Sequence, residues 1–159
     1  MGIEVKNVSK NFGNTRALDG VSVSIAEGRI YGLLGSNGAG KTTLLNIITN
    51  RLYADSGEVL IDDEPVVDND RVLGKMFLMG EQNLYPDDMR VHKAFAVTKL
   101  FYPNFDMQYA NELARRFGLN TKKKITALST GYASIFRLVL ALSVNTPYLL
   151  LDEPVLGLD

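Results

Sequence analysis

The stretch RIYGLLGSNGAGKTTLLNIITNRL, residues 29–52, decides how the rest of the chain is read. It opens with a short apolar run, RIYGLL, and closes with KTTLLNIITNRL, whose apolar residues recur at helical spacing. The first run predicts a strand and the second a helix. Between them, GSNGAGKT at 35–42 satisfies G-x-x-x-x-G-K-[ST] at every position. Gly35, Gly38 and Gly40 admit backbone conformations closed to other residues. The N–H groups along Gly35, Ser36, Asn37, Gly38, Ala39 and Gly40 are thereby free to turn inward around an anion. The helix that begins at Lys41, Thr42 and Thr43 adds its positive end to the same place. A lysine at a helix N-terminus opposes the macrodipole and is a poor choice for stability alone. It makes sense where a polyphosphate lies between the two charges, with Lys41 on the outer phosphates and the Thr42 hydroxyl on Mg²⁺.

The bulk properties leave room for this reading and exclude others. The chain has 159 residues, with 46% hydrophobic and 22% charged, enough for one domain with a real core. A net charge of −1 gives no electrostatic footprint for nucleic acid. Cysteine is absent, so a disulfide framework and a thiolate metal site are both excluded. The N-terminus MGIEVKNVSK lacks the apolar core of a signal peptide. Apolar stretches such as FRLVLALSV are too short to span a bilayer.

Along the chain, GIEVKNV at 2–8 and ALDGVSVSIAEG at 17–28 alternate like half-buried strands. GEVLIDDEP at 57–65 reads as a hairpin region, and VLGKMFLM at 72–79 as a further strand. From about 91 to 117 the pattern turns helical, interrupted by YPNFD at 102–106, and another helix is expected from about 132 to 144. The lysine run 122–124 reads as a solvated turn. YLLLDE at 148–153 reads as a buried strand that delivers Asp152 and Glu153 at its C-terminal edge, where open α/β sheets bind their ligands. Adjacent side chains on a strand diverge. Asp152 is therefore assigned to the metal, through water, and Glu153 to the attacking water as general base. Taken alone, the pair could equally be two solvated acids in a turn. Alternating strands and helices with a late helical block predict an α/β core carrying a helical insertion.

Taken together, these motifs resemble the ATP-binding subunit of an ABC transporter over the whole chain. GSNGAGKT resembles the Walker A motif, YLLLDE the Walker B motif with its glutamate, and VLGLD the D-loop with Asp159 as its aspartate. KNFG resembles the segment whose aromatic stacks on adenine, which gives that part to Phe12; read alone, Phe12 would be a core residue. LSTGY at 128–132 occupies the place of the LSGGQ signature, keeping Ser129 and Gly131. In the family this segment opens a helix and contacts the γ-phosphate held by the opposite subunit; read without the family, Ser129 is an N-cap. Thr130 and Tyr132 depart from the pattern, adding bulk and removing an amide. The family's metal- and water-contacting glutamine falls on Gln82 or Glu81, depending on whether one counts from Tyr85-Pro86 or from Val91.

The resemblance implies an α/β fold: a P-loop NTPase core with a mainly parallel sheet, an N-terminal antiparallel β subdomain and a helical insertion. It implies a single ATP-binding domain over 1–159 with a helical, signature-bearing subdomain at about 86–140. The implied activity is ATP binding and hydrolysis that powers transport, with ATP and Mg²⁺ bound and Thr42, Asp152 and Gln82 at the metal. The implied partners are transmembrane permease subunits and a second ATP-binding subunit, at the cytoplasmic face of the cell membrane. Family domains normally continue well past the D-loop, adding a strand, helices and a γ-phosphate histidine. The only histidine, His92, lies in another region and reads as a surface residue. The chain is therefore expected to be C-terminally incomplete, to leave a strand edge uncovered and to be marginal or oligomeric. The alternative function is an ATP-binding module without turnover.

Overall fold

The computed structural model describes residues 1–80, 82–86 and 88–154. The chain divides into two compact units, Met1–Met76 and Phe77–Asp159. The assignments made to Glu81 and Asp159, and to the rest of the VLGLD segment, lie outside the described residues.

The first unit is built on an antiparallel sheet of β1 (Gly2–Phe12), β2 (Thr15–Ala26), β3 (Ser56–Ile61) and β4 (Glu64–Pro65), in the order β2-β1-β3-β4. Alternation puts Ile3 and Val5 of β1 in the core. The next buried residue is Val8, three positions on rather than two. A bulge accounts for the extra residue: Val5 faces Val23 but Val8 faces Val21, and Asn7 takes a φ of 51°. The bulge also explains Gly57 on β3, where a Cβ would lie 2.4 Å from the carbonyl oxygens of both Lys6 and Asn7. Only glycine lets the two backbones approach so closely.

Helix α1 (Lys41–Ile48) buries Leu44, Ile47 and Ile48, the spacing of one helix face. The expected strand before it does not form. Residues 29–34 join no ladder among the described residues, and Ile30 and Leu34 are almost fully exposed. An apolar run of this kind becomes a strand only when a neighbouring strand pairs with it and its apolar side chains are covered. The strand expected over 72–79 is also shortened. Its first two residues belong to α2 (Asp70–Leu73), whose N-cap Asn69 accepts a hydrogen bond from the Val72 N–H at 3.3 Å, and residues 74–75 form a turn.

β5 (Met76–Met79), all but its first residue in the second unit, and β6 (Tyr148–Leu151) form a two-stranded parallel sheet. The Asp152 N–H extends the pairing by donating to the Met79 carbonyl at 2.9 Å. β6 is covered on one face only: Tyr148 and Leu150 are buried, whereas Leu149 and Leu151 are exposed. That corrects the expectation of a fully buried strand.

Between these strands lie α3 (Val91–Phe101), α4 (Met107–Arg116) and α5 (Thr130–Ser143). The break at YPNFD has a local cause. Pro103 disfavours helical geometry at Tyr102, whose φ and ψ are −123° and 88°, and Asp106 restarts the chain by accepting from the Tyr109 N–H at 2.8 Å. At the end of α4, Gly118 takes a φ of 66° and the Leu119 N–H returns to the Ala114 carbonyl at 2.8 Å. Phe95 stands at the centre of this helical core, fully buried, with its ring centroid 6.2 Å from Phe136 and 6.1 Å from Phe105. No helix among the described residues is long and apolar enough to cross a membrane.

Candidate nucleotide-binding site

The glycine loop in the first unit has the features its sequence requires. Gly38 and Gly40 take φ values of 82° and 86°, in the left-handed region. Gly40 is the N-cap of α1, and a Cβ there would lie 2.5 Å from the Ala17 carbonyl oxygen. No side chain caps α1, and its first turn carries no acid. Its leading N–H groups therefore stay available to an external acceptor. Lys41 folds back over the loop, its Nζ donating to the Gly35 and Ser36 carbonyls at 2.8 and 2.9 Å. A cation thus sits against an uncapped, positive helix end. This arrangement suits a polyanion. The Thr42 side is exposed, and Asn46 Nδ2 holds the Thr42 carbonyl at 2.9 Å.

Phe12 ends β1 and is 51% exposed, so it is not the core residue that a plain reading would make it. Lys10 Nζ stands 5.8 Å from its ring centroid. Lys10 in turn reaches Asp55 at 2.8 Å. Asp55 carried no part in the sequence reading, since a lone acid in a turn gives no signal there.

In the second unit, Asp152 is half-buried and Glu153 exposed. Glu153 has a φ of 47°, a strained conformation for a non-glycine residue immediately before a proline. Gln82 is exposed. The segment after it is anchored through Asn83 and Tyr85. Asn83 Nδ2 donates to the Tyr85 carbonyl at 2.8 Å, and the Tyr85 N–H donates to Asn83 Oδ1 at 3.1 Å. The Tyr85 ring then meets Phe136 edge-on at 5.8 Å, and its hydroxyl lies 2.7 Å from Thr98 Oγ1. Burial pushes the Tyr85 phenol up from its ordinary value. Ser129 is the N-cap of α5 and accepts from the Tyr132 N–H at 3.4 Å. Gly131 lies in the first turn that follows. His92 is exposed and its Nδ1 meets the Thr121 carbonyl at 2.9 Å. Lys122, Lys123 and Lys124 are exposed, as a solvated turn requires.

The family profile described as ABC transporter matches residues 18–156. The chain belongs to the ABC transporter ATP-binding family. Among its relatives in that family, the ABC transporter ATP-binding protein YtrB of Bacillus subtilis is 38% identical over 157 residues, which cover 99% of this chain and 54% of YtrB. The ribose import ATP-binding protein RbsA of Lacticaseibacillus paracasei is 30% identical over 170 residues, covering 99% of this chain and 34% of RbsA. The chain therefore spans about half the length, or less, of these relatives. Among solved structures, a putative ABC transporter ATP-binding protein from Pyrococcus furiosus superposes with a TM-score of 0.83 at 27% identity, covering all of this chain and 78% of that one. A dimeric ATP-binding cassette bound to ADP and Pi gives a TM-score of 0.82 at 27% identity, covering 99% of this chain and 76% of that one. The fold is accordingly that of ABC ATPase nucleotide-binding domains: a P-loop NTPase core with an antiparallel N-terminal sheet and a parallel sheet.

Proposed function

We propose that this ABC-family chain binds ATP and hydrolyses it to power transport, as the ATP-binding subunit beside transmembrane permease subunits and a second ATP-binding subunit, at the cytoplasmic face of a membrane. The observation that carries the reading is the Lys41 ammonium lying across the Gly35 and Ser36 carbonyls at the uncapped start of α1. The relatives' names, which include ribose import ATP-binding proteins, support the transport part. The cassette captured as a dimer with ADP and Pi supports the second subunit.

In this reading Lys41 leaves its two carbonyls to hold the outer phosphates, and the N–H groups of residues 35–43 cradle the rest. Phe12 stacks on the base, and Ser129 and Gly131 serve the phosphate bound by the opposite subunit. Catalysis consists mostly of positioning and charge stabilisation. Glu153 orients the attacking water and accepts its proton. Gln82 or Glu81 contacts the water and metal, and Asp159 belongs to the subunit interface. Among the described residues no three His, Cys, Asp or Glu side chains cluster. Mg²⁺ does not need such a cluster, since it takes one or two carboxylates together with phosphate oxygens and water. Thr42, Asp152 and Gln82 would hold it, and it would neutralise charge on the phosphates.

Multiple-turnover phosphate release, measured beside Glu153→Gln, tests the proposal. Turnover that falls at least about a hundredfold in the variant, with ATP binding retained, is the expected result. Binding without any turnover in the unaltered chain would reduce the function to a nucleotide-binding module.

A further inference from the structure

We infer that Asp55 is a positioning residue for nucleoside recognition, acting through Lys10 and Asn11 on the ring of Phe12. The inference rests on the reading above in which Phe12 meets the base. Asp55 spends both carboxylate oxygens on the two residues that precede Phe12. Its Oδ1 accepts from Lys10 Nζ at 2.8 Å. Its Oδ2 accepts from the Asn11 N–H at 2.7 Å and from Asn11 Nδ2 at 3.2 Å. The Asp55 N–H also donates to the Ser9 carbonyl at 2.9 Å, so the tie runs in both directions. These contacts hold the end of β1 just where an aromatic ring stands half in solvent.

Lys10 adds direction to the tie. Its side chain is only 14% exposed, and its ammonium, held by Asp55, lies over the Phe12 ring at 5.8 Å from the centroid. A cation on one face of a ring leaves the opposite face for a planar partner. Aromatic–base stacking tolerates any base, because every base has a π-face. The site therefore takes a nucleobase by stacking, and Asp55 determines where the ring waits. The Lys10 and Asn11 contacts hold the Asp55 carboxyl below its ordinary range, so it remains an acceptor at neutral pH.

A purely structural role for Asp55, tying β3 to β1, would affect every ligand of the loop alike. A positioning role affects only ligands that carry a base. The test is calorimetric titration of the chain with Mg-ATP and, separately, with magnesium and inorganic tripolyphosphate. In Asp55→Ala the Kd for Mg-ATP is expected to rise about fivefold to tenfold, with tripolyphosphate changed less than about twofold. In a Phe12→Ala background, adding Asp55→Ala is expected to change neither. Should Asp55→Ala fail to fold, Lys10→Met is expected to shift ATP selectively in the same direction. Equal losses for both ligands, or an additive effect in the Phe12→Ala background, would overturn the inference while leaving the phosphate loop intact. An unaltered chain that binds neither ligand overturns the nucleotide reading itself, and the inference falls with it.

Discussion

Gly38 and Gly40 share a left-handed conformation in the phosphate loop, yet alanine should be tolerated very differently at the two. At Gly38 a Cβ would meet nothing within 4 Å, so Gly38→Ala pays only for the backbone conformation. That cost is about 1–2 kcal/mol. At Gly40 the same substitution puts a Cβ 2.5 Å from the Ala17 carbonyl oxygen and 2.8 Å from Leu18 Cδ2, where ordinary contact begins at 3.4 Å. The backbone has to retreat by roughly 0.9 Å, and close packing leaves little room for that. Overpacking of this kind adds about 1–3 kcal/mol, for a total of roughly 2–5 kcal/mol. With a urea slope of about 2 kcal/mol/M, Gly40→Ala should lower the unfolding midpoint by about 1–2.5 M and Gly38→Ala by about 0.5–1 M. Circular dichroism during urea titration reads both. The displacement also moves the first N–H groups of α1, so Gly40→Ala should weaken Mg-ATP binding more than Gly38→Ala does. Equal midpoints for the two variants would refute the argument that β2 packs against Gly40 and that this contact sets the loop.

Three further outcomes follow from the second unit. Phe95→Ala empties the centre of the helical core and should cost about 3–5 kcal/mol, read by chemical denaturation; a loss under about 1 kcal/mol would mean that the core is not built around this ring. Asp106→Ala removes the side chain that caps α4 and should cost about 1 kcal/mol, seen as reduced thermal stability. Tyr85 supplies a pH test: burial raises its phenol pKa in the folded chain above the ordinary 10.0. Below about pH 10 both states keep the proton and the contribution is constant; above it the unfolded chain loses the proton first, so stability falls as pH rises toward the folded value. Tyr85→Phe should show a shallower decline above about pH 10, and identical slopes would contradict the assignment.

The features legible in the sequence were those carried by local patterns. The glycine loop announces itself because its spacing is set by backbone geometry. Ser129 as an N-cap and the break at Pro103 are likewise local chemistry. Features that depend on distant partners were not legible. Residues 29–34 have the composition of a strand but join no ladder among the described residues, and strand formation is a property of neighbours rather than of one run. Leu149 and Leu151 looked buried for the same reason. The bulge at Asn7 and its glycine counterpart Gly57 lie on different strands, so no single window holds both. Asp55 is separated from Lys10 and Asn11 by more than forty residues, and only the fold makes them neighbours. Tyr85 served the sequence reading as a counting mark, whereas its ring and hydroxyl anchor the Gln82 segment into the helical core.

The central claim is that residues 35–43 bind the phosphates of ATP with Lys41 as the principal cation. Calorimetric titration with Mg-ATP of the chain and of Lys41→Ala, each checked for folding by circular dichroism, tests it most directly. Saturable binding to the unaltered chain, weakened at least about tenfold in the variant, is the predicted result. Binding of equal strength in both, or none to a folded unaltered chain, would contradict the claim.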